Sequence, residues 1–204
     1  AGAVGMSVQP LFTVVIPTLG RETLERTLVS IRGQRLGNLA EILVVQDSYE
    51  ATADVMIRAM ETCGLYGAIY AEHNAGRHDT GSPQLALGYG LARGQWVVNC
   101  GDDDVYEPYA FLTMQRAIEN DVTTRPLMFR TVLHPAPQRG DQRESIVLWQ
   151  ERRIERGRIT GQCFLAPNVP DKLGRWVDDV TFMAETVERW GSVGWRTEVI
   201  SQCY

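Results

Sequence analysis

Three adjacent carboxylates form the most distinctive chemical feature of the sequence. Asp102, Asp103 and Asp104 follow Gly101, directly after the apolar run Trp96–Cys100. Neighbouring carboxylates repel one another unless a cation or hydrogen-bond donors compensate their charge. Mg²⁺ and Mn²⁺ prefer carboxylate oxygens, and magnesium sites often combine one or two carboxylates with phosphates of a substrate. The acidic run therefore predicts a divalent-cation site, and the alternative is a solvated acidic turn that starts the next helix.

Two further polar residues stand where apolar runs end. Thr18 comes after Phe12–Ile16 and Pro17, and Asp47 comes after Glu41–Gln46. Ligands of open parallel sheets bind outside the carboxyl ends of the strands, so we expect both residues to meet the acidic run at one site. A carboxylate at Asp47 suits a base that offers an N–H, such as uracil or guanine. The alternative is that Asp47 accepts hydrogen bonds from its own loop.

A loop arginine and a second acidic pair complete the candidate residues. Arg77 lies in the polar stretch Glu72–Gly81, where its guanidinium could bind a phosphate or simply be solvated. Asp178 and Asp179 open the last long helix of the sequence. Carboxylates at that end suit the helix dipole, and the functional alternative is that one of them is a general base for a hydroxyl.

The pattern of elements predicts an α/β fold. The first half alternates β-branched runs with helical patterns, which is typical of a parallel sheet flanked by helices. Its predicted strands are Phe12–Ile16, Glu41–Gln46, Ala68–Ala71 and Trp96–Cys100. Ser82 and Pro83 are interpreted as the N-cap and first residue of one helix. Pro108 is expected to open another.

The second half predicts a mixed arrangement. Leu127–Leu133 and Ser145–Trp149 are expected to pair as antiparallel strands, with further strands at Gln162–Leu165 and Thr197–Ser201. The last helix, Asp178–Trp190, is expected to bury one face. The residues assigned to that face are Val180, Met183, Ala184 and Val187.

Composition narrows the classes of protein. The 204 residues suffice for one sizeable core, and a hydrophobic fraction of 44% with 22% charged residues is typical of a globular chain. A net charge of -5 argues against a nucleic-acid partner, which would need a basic face. The four cysteines are widely spaced and are interpreted as reduced thiols. No signal peptide or membrane-spanning run is apparent, so a cytoplasmic location is expected.

Several segments, taken in order, resemble glycosyltransferase family 2. FTVVIPTLGRETLERTLVSI is similar to the opening of that family, and EILVVQDSYEAT to its second-strand motif. ALGYGLARGQWVVNCGDDDVYEP resembles the stretch that leads into its metal-binding Asp-x-Asp motif, and GRWVDDVTF resembles its later acidic pair. The resemblance implies a single GT-A domain over residues 11–204, with a Rossmann-like, mainly parallel sheet and a smaller antiparallel part in the C-terminal half. Residues 1–10 would be a flexible N-terminus or tag remnant.

The resemblance also implies how a nucleoside-diphosphate sugar would be bound, in the half formed by residues 11–107. Pro17 and Thr18 would contact the nucleoside and Asp47 the base, with a UDP- or GDP-sugar favoured. Asp102 would touch the ribose or the metal, and Asp103 could share either role.

The implied catalytic groups follow in the same way. Asp104, with Asp102, would hold Mn²⁺ or Mg²⁺. Asp179 would be the base, with Asp178 the second candidate, and the acceptor would bind in the half formed by residues 108–204. The expected reaction is transfer of the sugar to a hydroxyl acceptor, with inversion.

Two departures from the family pattern stand out. Gln46 occupies the place of the first of two aspartates, and Leu85-Ala86 occupies that of a common Arg-Asn pair. Arg77 is therefore assigned the diphosphate contact. Two rival functions remain open: a sugar-1-phosphate nucleotidyltransferase, and a non-catalytic module that binds a nucleotide sugar or a glycan.

Overall fold

The computed structural model describes residues 9–34, 36, 39–47, 53–62, 64, 69–72, 81–135 and 144–204. The first half alternates strands and helices as predicted. Its elements are β1 (Phe12–Thr18), α1 (Thr23–Arg32), β2 (Ala40–Gln46), α2 (Ala53–Thr62), β3 (Ile69–Glu72), α3 (Ser82–Leu91) and β4 (Trp96–Asn99).

The second half adds five strands and two helices. They are β5 (Val105–Tyr106), α4 (Ala110–Glu119), β6 (Leu127–Leu133), β7 (Ile146–Leu148), β8 (Phe164–Pro167), α5 (Asp179–Trp190) and β9 (Gly194–Cys203). Strand β5 was not predicted, and β9 begins three residues before the predicted last strand.

The nine strands of the described residues join one mixed sheet, in the order β3-β2-β1-β4-β8-β6-β9-β5 with β7 on β6. The pairs of β1 with β2, β1 with β4 and β2 with β3 are parallel, so the carboxyl ends of these strands lie along one edge. β8 joins β4 and β6 by antiparallel pairing. This single α/β domain confirms the predicted fold class, and the predicted antiparallel pair is present as β6 with β7.

Each face of the sheet carries its own core because successive residues of a strand point to opposite sides. Phe12, Val14 and Ile16 pack on one face with residues of α1 and α4. Val15 and Val97 pack on the other face with residues of α3 and α5. The helices on both faces hold β1, β2 and β4 rigidly behind the edge where the candidate site lies.

Gly88 allows α3 to lie directly against the sheet. A Cβ at this position would come within 2.2 Å of Val15 Cγ1, a distance at which the two atoms would overlap. Any side chain at residue 88 would therefore push α3, and Gly81 at its start, away from β1.

Three local expectations were wrong. Ser82 does not cap α3, because the helix follows Gly81 and the Ser82 hydroxyl donates to the carbonyl oxygen of Val177 at 3.0 Å. Ala184 is exposed, and the buried face of α5 is formed by Phe182, Met183 and Thr186. Helix α4 begins at Ala110, two residues beyond Pro108.

Three of the four cysteines lie in the described part of the chain, and all three are free thiols. Cys100 and Cys163 are buried and Cys203 is half-buried. No helix among the described residues is long and apolar enough to span a bilayer.

Candidate functional site

A cleft of about 350 Å³ opens at the carboxyl ends of β1, β2 and β4. Five of the predicted residues line it: Pro17, Thr18, Asp47, Asp102 and Asp103. The expected convergence is therefore present, and it arises because three neighbouring parallel strands end at the same edge.

Thr18 ties the end of β1 to the acidic run. Its hydroxyl donates to Asp102 Oδ2 at 2.8 Å, and the backbone N–H of Leu19 donates to the same oxygen at 3.3 Å. Burial raises the pKa of Asp102, and the hydrogen bond from Thr18 offsets part of that rise. The Asp102 carboxylate is thus held at the cleft, in surroundings that disfavour its charged form.

Asp47 presents an unused acceptor. Its backbone N–H donates to the Thr18 carbonyl oxygen at 2.9 Å, which fixes the residue beside β1. The side chain is 3% exposed, yet Oδ1 has no hydrogen-bond partner among the described residues. A buried acceptor without a partner costs free energy. A ligand that donates a hydrogen bond to this oxygen would therefore be bound favourably.

Arg21 is a cleft residue that received no role from the sequence patterns. Its Nη1 lies 2.9 Å from Asp103 Oδ2 and 3.3 Å from Asp102 Oδ1. The signal available in the sequence was a basic residue three positions after Thr18, close to the end of the first strand. Gln84 of α3 also lines the cleft and was likewise not assigned.

Asp104 lies in a different environment from its two neighbours. Its Oδ1 accepts from the backbone N–H of Tyr204 at 3.0 Å, and its Oδ2 accepts from Gln162 Nε2 at 2.9 Å. The residue is buried, and burial together with the charge of Asp103 raises its pKa to about 6. Asp104 therefore connects the acidic run to the end of β9.

The second acidic pair divides in the same manner. Asp178 is the N-cap of α5, where Oδ1 accepts from the Thr181 backbone N–H at 2.8 Å, and this bond lowers the pKa of Asp178. Asp179 accepts from the Gly161 backbone N–H at 3.0 Å, and burial raises its pKa.

Gly161 brings Asp179 close to the end of β4. A Cβ on Gly161 would lie 2.4 Å from Asn99 Nδ2 and 2.9 Å from Asp179 Oδ1. Asn99 is the last residue of β4, three residues before Asp102. The Asp179 carboxylate and the acidic run thus lie at the same end of this strand.

Arg77 lies outside the described residues, so the structure says nothing of its predicted phosphate contact. Within the described ranges, no group of three or more histidine, cysteine, aspartate or glutamate side chains is arranged to hold a metal ion by itself.

Known structures share this fold. The chain superposes on TarS 1-349 from S. aureus in complex with UDP-GlcNAc with a TM-score of 0.71 and 13% identity, covering 94% of this chain and 57% of that one. For the mannosyltransferase PcManGT from Pyrobaculum calidifontis in complex with GDP-Man and Mn²⁺, the TM-score is 0.63 at 16% identity, with 95% and 56% covered. The chain therefore spans less than two thirds of the length of either protein. At these identities the likeness concerns the fold.

A comparison with curated proteins found no match. The family model described as glycosyl transferase family 2 matches residues 13–169, which include the whole acidic run and end before Asp178 and Asp179. Because that match extends over well more than half of the 204 residues, the chain belongs to glycosyl transferase family 2.

Proposed function

We propose that this protein transfers a sugar from a nucleoside-diphosphate sugar to a hydroxyl acceptor, with the donor bound in the cleft at the ends of β1, β2 and β4. The observation that carries the proposal is that Thr18, Asp47 and Asp102 line one cleft. This cleft lies at the carboxyl ends of parallel strands, where nucleotides bind in open α/β sheets. Family membership and the nucleotide sugars bound by the two structural neighbours support the class of donor.

In this proposal the nucleoside lies against β1 and β2. The unpartnered Asp47 Oδ1 accepts the ring N–H of uracil or guanine, and Pro17 and Thr18 form the floor beneath it. Asp102 or Asp103 contacts the ribose. Arg77 keeps its proposed role at the diphosphate.

The acidic run fits a divalent cation. It places the carboxylate oxygens of Asp102 and Asp103 at the cleft, and such hard oxygens are the ligands that Mg²⁺ and Mn²⁺ prefer. Asp104 and Asp102 would hold the ion, with Asp103 as an alternative ligand. The hydrogen bonds to Asp104 do not bar it, because each carboxylate oxygen offers two acceptor directions. When bound, such an ion neutralises charge that develops on a departing diphosphate.

Asp179 is the proposed general base. Desolvation raises the pKa of its half-buried carboxylate, so Asp179 accepts a proton more readily than Asp178, whose pKa is lowered. Asp178 is already engaged as a helix cap. The acceptor oxygen forms a bond to the anomeric carbon and its proton passes to Asp179. The bond from that carbon to the diphosphate breaks with its electron pair on the leaving group. Because the acceptor attacks from the opposite face in this single displacement, the configuration at the carbon is inverted.

Thermal unfolding with UDP, GDP, dTDP and CDP, each with Mn²⁺ and again with EDTA, tests the donor site. At about one hundred times its dissociation constant, a ligand adds roughly 2.7 kcal/mol of stability, which raises Tm by several degrees for a chain of this size. We expect UDP or GDP to give that shift, and we expect EDTA to reduce it.

The matched variant is Asp47→Ala, which removes the acceptor proposed for the base. The Tm shifts of this variant with the four nucleotides should no longer differ from one another. No shift with any nucleotide would overturn the proposed function, and release of pyrophosphate during turnover would identify a nucleotidyltransferase instead.

A further inference from the structure

Arg21 occupies the place in the cleft where a cation is needed. One nitrogen of its guanidinium, Nη1, contacts both Asp103 Oδ2 and Asp102 Oδ1. Among the described residues, these are the hydrogen bonds that the Arg21 side chain makes. The other donors of the planar group are therefore available to a ligand that enters the cleft.

The two carboxylates differ in what they need from Arg21. The Asp102 side chain is 7% exposed, whereas that of Asp103 is 35% exposed and shares its charge with water. Two adjacent carboxylates at the rim of a buried site repel each other, so a positive group beside them stabilises the acidic run. In the protein without ligands, Arg21 supplies that group.

The Arg21 side chain is held at one end only. It is 49% exposed, and it reaches the cleft from the turn after β1 instead of from within the core. Moving the Arg21 guanidinium away from Asp103 therefore breaks few packing contacts. An exposed ion pair of this kind contributes little free energy.

We propose that Arg21 is the resident counter-cation of the acidic run, that it competes with a divalent cation for Asp102 and Asp103, and that it turns to the donor diphosphate when cation and nucleotide bind together. A guanidinium and a divalent ion repel each other when both contact the same carboxylates, so binding of the ion displaces Arg21. The diphosphate then offers the planar guanidinium of Arg21 anionic oxygens that it can bind through two parallel hydrogen bonds within the same cleft. This inference rests on the proposed function for its last step.

The competition gives Arg21→Gln two effects of opposite sign. Mn²⁺ alone should bind on the order of tenfold more tightly, because the positive charge that opposes it is gone. The affinity for UDP or GDP, measured with saturating Mn²⁺, should fall about tenfold, because charge-assisted hydrogen bonds to the diphosphate are lost. Arg21→Lys retains the charge and should restore most of the competition with Mn²⁺.

The experiment measures free Mn²⁺ by electron paramagnetic resonance during titration of the protein, and nucleotide binding by calorimetry. The matched control is Arg153→Gln, which removes another arginine that lies beside two carboxylates, those of Glu151 and Glu155. Its side chain is 62% exposed and Arg153 does not line the cleft, so both affinities should equal those of the unaltered protein.

Each outcome supports or contradicts the inference about Arg21. Tighter Mn²⁺ binding with weaker nucleotide binding supports the inference, whereas weakening of both, or an unchanged affinity for Mn²⁺, overturns it. A protein that binds neither nucleotide contradicts the proposed function, and the Mn²⁺ titration then still decides whether Arg21 is the counter-cation. A protein that binds a nucleotide but shows the same Mn²⁺ affinity in Arg21→Gln and Arg153→Gln contradicts this inference alone.

Discussion

Two runs of adjacent aspartates lie towards the same end of β4, and in each run neighbouring residues have different environments. In the first run, Asp103 is partly exposed beside Arg21, whereas Asp104 is buried between Gln162 and Tyr204 with its pKa raised to about 6. In the second, Asp178 caps a helix and has a lowered pKa, whereas Asp179 accepts from Gly161 and has a pKa raised by desolvation. A residue type repeated in the sequence therefore does not repeat its chemistry.

The physical origin of the difference is the direction of the backbone. Asp178 has extended dihedral angles and is the last residue before α5, so its side chain turns back onto the Thr181 N–H. Asp179 is the first helical residue and its side chain meets Gly161. One step along the chain therefore exchanges a carboxylate that caps the helix for one that faces Gly161.

The largest effect should come from Asp179, the member of the second run whose pKa is raised. Asp179→Asn removes the proposed base, and general-base catalysis contributes typically 10²–10⁴-fold, so kcat should fall by that factor. Asp178→Asn is the matched control, since asparagine keeps the cap and turnover should stay within a few-fold. Steady-state kinetics with the donor identified by thermal shift measures both. Loss of turnover in Asp178→Asn, with Asp179→Asn unaffected, would reverse the assignment.

Asp104, which is buried in the first run, should make the stability of the protein depend on pH. The folded-state pKa of Asp104 is about 6 against an ordinary 3.8, so ionisation costs stability above pH 6 and the cost disappears as the pH falls towards 4. In EDTA, the free energy of unfolding of Asp104→Asn relative to the parent should therefore rise by about 2–3 kcal/mol between pH 4 and pH 8, because the parent alone pays for ionisation of Asp104.

Urea unfolding at several pH values measures this effect, and Asp103→Asn serves as the control. Asp103 is partly exposed, and its loss should change stability by about 1 kcal/mol or less. If Asp104→Asn were less stable than the parent at every pH, the hydrogen bonds to the ionised carboxylate would outweigh its burial.

The smallest effect should come from Asp178, the member of the second run that caps α5. Asp178→Ala removes the side-chain acceptor of the N-cap and should cost about 1 kcal/mol, or roughly 2–4 °C in Tm. Asp178→Asn should show little of this loss. Equal destabilisation by the two changes would mean that the charge of Asp178, and not its capping hydrogen bond, stabilises α5.

Much of the edge where the site lies was predictable from local patterns. The β-branched runs predicted to end at Ile16, Gln46 and Cys100 identified three parallel strands, and the carboxyl ends of neighbouring parallel strands lie at one edge of a sheet. Thr18, Asp47 and Asp102 could therefore be expected at one site from the order of residues alone. Strand β5 could not be predicted because two residues carry no periodic signal.

The partners of the charged groups were less accessible to sequence reasoning. Nothing local indicates that Tyr204 donates to Asp104 across 100 positions, or that Gly161 lies between Asn99 and Asp179. The same holds for the two contacts of Arg21 with the acidic run, which join residues 81 and 82 positions apart.

The sequence by itself determined the family, the α/β fold and the edge of the sheet where its acidic residues gather, because hydrophobic periodicity and strand order are written locally along the chain. Only the tertiary structure decided how each carboxylate is compensated. Burial and hydrogen-bond partners come from elements distant in sequence, and they set the separate environments of Asp102, Asp104 and Asp179.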